Sequence, residues 1–315
     1  MDKVFNVTSS PHDRGRMDTQ KIMLCVLISL LPATFFGIYN FGYKALILIL
    51  VTVATCVVSE FVFNLIVKKD NTIGDLSAAV TGLLLALNLP HTLPWWQAVI
   101  GGVFAIIVVK CLFGGLGQNF MNPALGARCF LLISFTSSMT SFTYDGITEA
   151  TPLAMLKNGE TVEPLKMLLG TEAGTIGETS VICLLIGAIF LILVGIIDIR
   201  IPGAYIITFA LFIMLFGGKG FDLDFLIEHL CGGGLILGAF FMATDYATSP
   251  ITPLGKIIFG IVLGILTGIF RLFGSNAEGV SYAIIIGNLL VPLIEKVTIP
   301  RAFGITKVKE VSEDE

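Results

Sequence analysis

Charged side chains are scarce along these 315 residues: 13% are Asp, Glu, Lys or Arg, against 55% hydrophobic, and the mean hydropathy is +0.91. A water-soluble domain of this length needs more charge to cover its surface, so the composition excludes one and indicates an integral membrane protein. Paired cysteines are missing as well. Cys25, Cys56, Cys111, Cys129, Cys183 and Cys231 all fall in apolar stretches and form no C-x-x-C. That excludes a disulfide framework and a zinc or iron–sulfur site built by this chain alone. Buried apolar thiols are expected, with a cluster ligand shared between subunits as the alternative. The three histidines, His12, His91 and His229, have no metal-ligand spacing and are expected in loops or interfaces. Phosphate loop, catalytic triad and basic patch are all lacking, so a nucleic-acid partner is not expected. The glycine runs Gly114-Gly115-Leu116-Gly117 and Cys231-Gly232-Gly233-Gly234 follow no strand and make no dinucleotide fold. Close helix packing is the expected role of both.

What the chain does contain is a series of apolar runs. A spanning helix needs about 20 mostly apolar residues, which places spans near 21–39, 44–67, 75–89, 95–112 and 122–138, then 178–197, 202–217, 228–245, 254–273 and 279–297. The runs near 75–89 and 202–217 are short for this purpose. Because the first run begins near Ile22 and many follow, it reads as a spanning helix rather than a cleaved signal peptide. The expected fold is all-α with about ten transmembrane helices. Residues 1–138 form a tail and a first five-helix half, 139–177 a polar loop, and 178–315 a second five-helix half and a tail.

Lys and Arg set the expected orientation. With the N-terminus inside, thirteen basic residues fall on the cytoplasmic side and five (Lys44, Lys157, Lys166, Lys219 and Arg271) outside, Arg128 being left out because it lies within the fifth span. The positive-inside bias predicts cytoplasmic termini and an extracytoplasmic 139–177 loop. The halves also align. Ala79–Asn88 leads through Pro90 and Pro94 into a helix and Phe113–Asn119; Gly234–Asp245 leads through Pro250 and Pro253 into a helix and Phe273–Asn276. An odd number of spans per half makes the second run upside down, an inverted repeat of the kind transporters use.

Within the polar loop, Asp145-Gly-Ile-Thr148-Glu149-Ala150-Thr151 reads D-x-x-T-x-A-T. It resembles the D-x-x-[S/T]-G-A-T signature at which a flavin transferase joins FMN to a threonine hydroxyl through its phosphate, with Glu149 in place of the glycine. Thr151 is then the attachment site, and Asp145, Thr148 and Ala150 are recognition elements. Thr151 followed by Pro152 is also a good helix start, which alone accounts for both residues. The two readings are compatible, since a phosphate there meets free backbone N–H groups. Polar groups at membrane depth are functional candidates: Glu60, Asn88, Asn119, Asn122, Arg128 and Asp245. Helix capping is the structural alternative for the asparagines; for Arg128 it is reaching the cytoplasmic surface or pairing with an acid, rather than holding a cofactor phosphate. Glu60 and Asp245 could hold a cation or relay protons.

Together with that motif, Ser10-Pro11-His12, Ile22-Met23, Pro32-Ala33, Gly117-Gln118-Asn119, Asn122-Pro123-Ala124, Met242–Asp245 and Ser249-Pro250 make nearly the whole chain resemble the RnfD family, membrane components of the Rnf electron-transport complex. NqrB of the sodium-pumping NADH:quinone oxidoreductase is similar but carries a longer N-terminal extension. The resemblance implies one component of an ion-translocating ferredoxin:NAD⁺ oxidoreductase in a bacterial or archaeal cytoplasmic membrane. It further implies covalent FMN, a non-covalent riboflavin with no residues assigned, and partners that include the FMN-bearing RnfG and the membrane proteins RnfA and RnfE. A solute channel or transporter on the same scaffold is the competing class, because fold alone does not fix function.

Overall fold

The computed structural model describes residues 17–69, 71–144, 147–148, 151–157, 163–178, 180–218, 220–274 and 279–300. Two long apolar helices come first, α1 (Thr19–Phe41) and α2 (Tyr43–Val67), joined at Gly42. A single 3₁₀ turn, Ile73–Asp75, precedes α3 (Ser77–Leu87). Next come α4 (Trp95–Cys111), whose second half from Phe104 winds as a π-helix, and α5 (Pro123–Ser134). The polar region holds α6 (Thr136–Met139), a hairpin of β1 (Thr143–Tyr144) and β2 (Ile147–Thr148), α7 (Pro152–Lys157) and α8 (Pro164–Leu169). The remainder is α9 (Val181–Leu193), α10 (Arg200–Phe216), α11 (Leu223–Cys231), α12 (Leu235–Met242), α13 (Pro253–Phe273) and α14 (Val280–Thr298).

By length and composition α1, α2, α13 and α14 can each cross a membrane alone, and α11 with α12, bent by 61°, has the form of a broken span or a re-entrant loop. The shorter apolar helices are α3, α4, α5, α9 and α10. The shortness expected near 202–217 is mild, since α10 has 17 residues, whereas α3 has 11 and rises only about 16 Å. A helix that stops inside an apolar layer must have its carbonyls satisfied by protein. For α3 this comes from the segment ahead of α9: Ile176 N–H donates to the Leu89 carbonyl (3.1 Å) and Gly177 N–H to that of Leu87 (2.8 Å).

The break between α11 and α12 falls in the glycine run, where Gly233 and Gly234 both have φ near +63°. Gly114, Gly115 and Gly117 likewise have positive φ, in the turn after α4. Both runs make turns that other residues adopt only with strain, and the second also packs closely, as expected: a Cβ on Gly232 or Gly233 would fall within 2.8 Å of Met167 on α8 or Leu153 on α7. Close helix packing is also done by Gly260, Gly264 and Gly268 of α13. A Cβ there would fall within 2.8 Å of Ala204, Thr208 or Phe212 on α10.

Two basic residues in the charge count are buried rather than exposed at a membrane face. Lys110, within the fourth expected span, is 2% exposed in the π segment of α4. Arg271 is 3% exposed at the end of α13, where it donates to the carbonyls of His229, Gly232 and Gly233 and lies 5.0 Å over the Phe209 ring. Removing one from each side leaves the basic bias at twelve to four. His229 is buried within α11 rather than in a loop, and His91 stacks on Phe41. All six cysteines are free; Cys56, Cys111 and Cys129 are buried, and the others half-buried.

Candidate functional site

Two pockets lie at opposite ends of α1. The larger, with about 750 Å³ of empty space, is lined near the N-terminal end of α1 by Ile22 and Met23, and elsewhere by Thr81, Lys110, Asn119, Asn122 and Asp245. It opens into a wider mouth of about 1080 Å³ that includes Thr19 at the start of the described chain and Glu295 near its end. The beginning of α1 and the end of α14 therefore share one face. At the other end of α1, Asn40 donates to the Gly170 carbonyl (3.0 Å), tying that end to the segment that carries Thr151.

Asn119 and Asn122 flank the turn into α5 and both reach the large cavity. Asn122 caps α5, its Oδ1 accepting from the N–H groups of Ala124 and Leu125, and its amide donates to the Met242 carbonyl. Capping thus accounts for half of that side chain. Asn119 is 6% exposed; its amide donates to the Met121 carbonyl (3.2 Å), while its Oδ1 has no hydrogen-bond partner among the described residues. A buried amide oxygen left unmatched costs about 1–3 kcal/mol, so a donor from a bound molecule is the natural complement. Asp245 lies in the turn after α12, where Thr248 and the Ala247 N–H donate to its carboxylate.

Glu60 does not face the cavity directly. Its carboxylate receives two hydrogen bonds from the Lys110 ammonium, both 2.9 Å, and one from Thr72 (2.7 Å); Lys110 also donates to Ser77 (2.6 Å). Both charged side chains are 2% exposed. The cation on Glu60 in this structure is the chain's own lysine, which lies between the carboxylate and the cavity.

The smaller pocket, with about 410 Å³ of empty space, has half-buried Thr151 on its rim. Leu153 and Met167 give it an apolar wall, Gly232 and Gly233 a backbone wall, and Glu172 and Glu178 carboxylates. The helix start expected at Thr151 is present: its carbonyl accepts from the N–H groups of Ala154 (2.8 Å) and Met155 (3.0 Å), and Pro152 is the first residue of α7. Asp145, Glu149 and Ala150 lie outside the described residues, and Thr148 belongs to β2, opposite Thr143.

Arg128 and Asn88 stand between the two pockets. Arg128, 4% exposed, donates to Asn88 Oδ1 (2.9 Å) and Ser281 Oγ (3.0 Å), and its guanidinium lies 3.6 Å from the Glu178 carboxylate. It pairs with an acid, one of the expected alternatives, and does not reach the surface. Asn88 caps the end of α3, donating to the Leu84 carbonyl and the Met242 sulfur. A buried polar chain therefore runs from Glu178 in the small pocket through Arg128 and Asn88 to Met242, whose carbonyl meets Asn122 of the large cavity. Glu178 was missed in the sequence, although an acid on the first residues of an expected span is a visible signal. Lys110 was visible too, inside the fourth expected span.

These features define a polytopic helical membrane protein with interrupted helices and buried polar cavities between the segments before and after its polar loop. The family described as NQR2, RnfD, RnfE matches residues 6–304, and the chain belongs to it. The subunit lettered D in the Na⁺-translocating ferredoxin:NAD⁺ oxidoreductase complex of Acetobacterium woodii is 49% identical over 315 residues, 97% of each chain. Its counterpart in the proton-translocating ferredoxin:NAD⁺ oxidoreductase complex of Clostridium ljungdahlii is 40% identical, over 96% of each. The one in the ion-translocating oxidoreductase complex of Pectobacterium atrosepticum is 34% identical, over 95% of this chain and 99% of the relative.

Proposed function

We propose that this chain is the membrane flavoprotein component of an ion-translocating ferredoxin:NAD⁺ oxidoreductase, with FMN bound through its phosphate to the Thr151 hydroxyl. The observation that carries the reading is the position of Thr151: half-buried, on the rim of a pocket, within the sequence pattern for flavin attachment. The pocket suits the group. Leu153 and Met167 offer apolar contact to a ring face, and the Glu172 and Glu178 carboxylates can accept from its N–H and O–H donors. When bound, a flavin supplies acceptance and donation of one or two electrons.

The large cavity is the proposed place for the second carrier, a non-covalent riboflavin. Its mainly apolar lining with a few polar side chains suits a planar heteroaromatic ligand. The amide oxygen of Asn119 is positioned to accept from a ring N–H, and Asn122, Thr81 and Thr244 add polar contacts along the wall. The Asn88–Arg128 link then fixes the backbone and charge between two carrier sites.

We further propose that the helices form a ten-span inverted repeat, a reading with which two features accord. α3 and the α11–α12 pair are both interrupted at corresponding places in the order of helices, and α1 packs on α9 as α5 packs on α14, the contacts an approximate two-fold axis would generate. Residues 1–138 and 178–315 are the halves, and 139–177 the extracytoplasmic flavin-bearing loop. Both termini lie in the cytoplasm, in accord with the shared face of Thr19 and Glu295. NAD⁺ and ferredoxin sites belong to partner proteins, and RnfG, with RnfA and RnfE, completes the electron path. Relatives that move Na⁺ and H⁺ are both similar to this chain, so family membership leaves the ion open.

Thr151→Ala in the assembled complex tests the reading. It should stop ferredoxin-to-NAD⁺ electron transfer while leaving the complex intact on size-exclusion chromatography. Full turnover would remove Thr151 from the electron path and favour a transporter role for the scaffold.

A further inference from the structure

Glu178 and Arg128 meet where two interrupted helices end. Arg128 donates to Asn88, the residue that caps the C-terminal end of α3, where the helix dipole is negative. Glu178 lies against Gly234, the residue that caps the N-terminal end of α12, so closely that a Cβ on that glycine would come within 2.1 Å of its carboxylate. That end of the helix dipole is positive. Each charge of the pair therefore sits at the helix end of opposite sign. Ser281 of α14 holds the guanidinium from a third direction, so Arg128 is a fixed charge rather than a mobile one. The pair is polarised toward one pocket: Glu178 lines the Thr151 pocket, and Arg128 stands behind it.

We propose that Glu178 and Arg128 are positioning residues that set, with opposite signs, the reduction potential of the redox group in the Thr151 pocket. The proposal rests on the reading that this group is the flavin on Thr151. An electron added beside Glu178 meets a like charge, and Arg128 offsets that charge from 3.6 Å away in a site shielded from water. Removing the carboxylate eases reduction; removing the guanidinium takes a positive charge from beside the site and hinders it. A pair that served only to hold the helices together would not give shifts of opposite direction.

The experiment is a redox titration of the flavin absorbance in the purified complex, with the signal of the Thr151→Ala complex subtracted to isolate one flavin. Glu178→Gln should move the midpoint potential upward and Arg128→Gln downward, with Arg128→Lys close to the parent because it keeps the charge. Should Arg128→Gln fail to fold, as the loss of one member of a buried pair allows, the Glu178→Gln/Arg128→Gln double variant serves in its place. Its potential should lie below that of Glu178→Gln alone. Shifts in the same direction, or none, with the covalent flavin still fluorescent on a denaturing gel, would overturn the proposal alone. A parent protein without covalent flavin would overturn the reading beneath it and the proposal together.

Discussion

The Lys110 ammonium reaches both carboxylate oxygens of Glu60 at 2.9 Å, and the two side chains are among the most buried charges of the described residues. They come from α2 and the π-helical half of α4, fifty residues apart in sequence. π segments within helices recur at functional sites, and this one turns Lys110 toward both Glu60 and the large cavity.

Lys110→Met should destabilise the protein by about 3–5 kcal/mol, because it leaves the Glu60 carboxylate buried without its partner. The loss should appear as a lower Tm in detergent. Adding Glu60→Gln should recover most of it, since an uncharged pair has no comparable desolvation cost. Equal Tm values for parent and Lys110→Met would contradict the burial of the pair.

Asn119→Leu should reduce the flavin that can be extracted from the protein by acid, while the covalent flavin stays on a denaturing gel. The substitution removes an amide oxygen of the cavity wall that lacks a donor among the described residues. An unchanged amount of extractable flavin would move riboflavin out of this cavity.

From the bias in basic residues, a reporter fused after residue 160 should be active only if it works outside the cytoplasm, and one fused at the C-terminus should behave oppositely. A cytoplasmic 139–177 segment would reverse the placement of both pockets.

The long apolar runs made the helices of this fold legible, because a segment such as Tyr43–Val67 has no stable state in lipid other than a helix. The interruptions were less so. That α3 ends at Leu87 depends on Ile176 and Gly177 arriving from far along the chain to satisfy the carbonyls of Leu89 and Leu87, a contact no local pattern encodes. The turns in the glycine runs were not foreseen, since a run of glycines marks a turn or a close approach equally well until φ is known; the second run serves both. Of the site, Asn119, Asn122, Arg128 and Asp245 were recognised from polarity at membrane depth, but their partners were not. Arg128 finds its acid at Glu178, and Glu60 its base at Lys110, through tertiary contact alone.

Attachment of the flavin to Thr151 is tested most directly by mass spectrometry of the proteolytic peptide containing that residue, from cells that contain the flavin transferase. The expected peptide is heavier by FMN less one water, with the modification mapped to the Thr151 hydroxyl and absent from Thr151→Ala. An unmodified Thr151 peptide, recovered in full yield from an active complex, would contradict it.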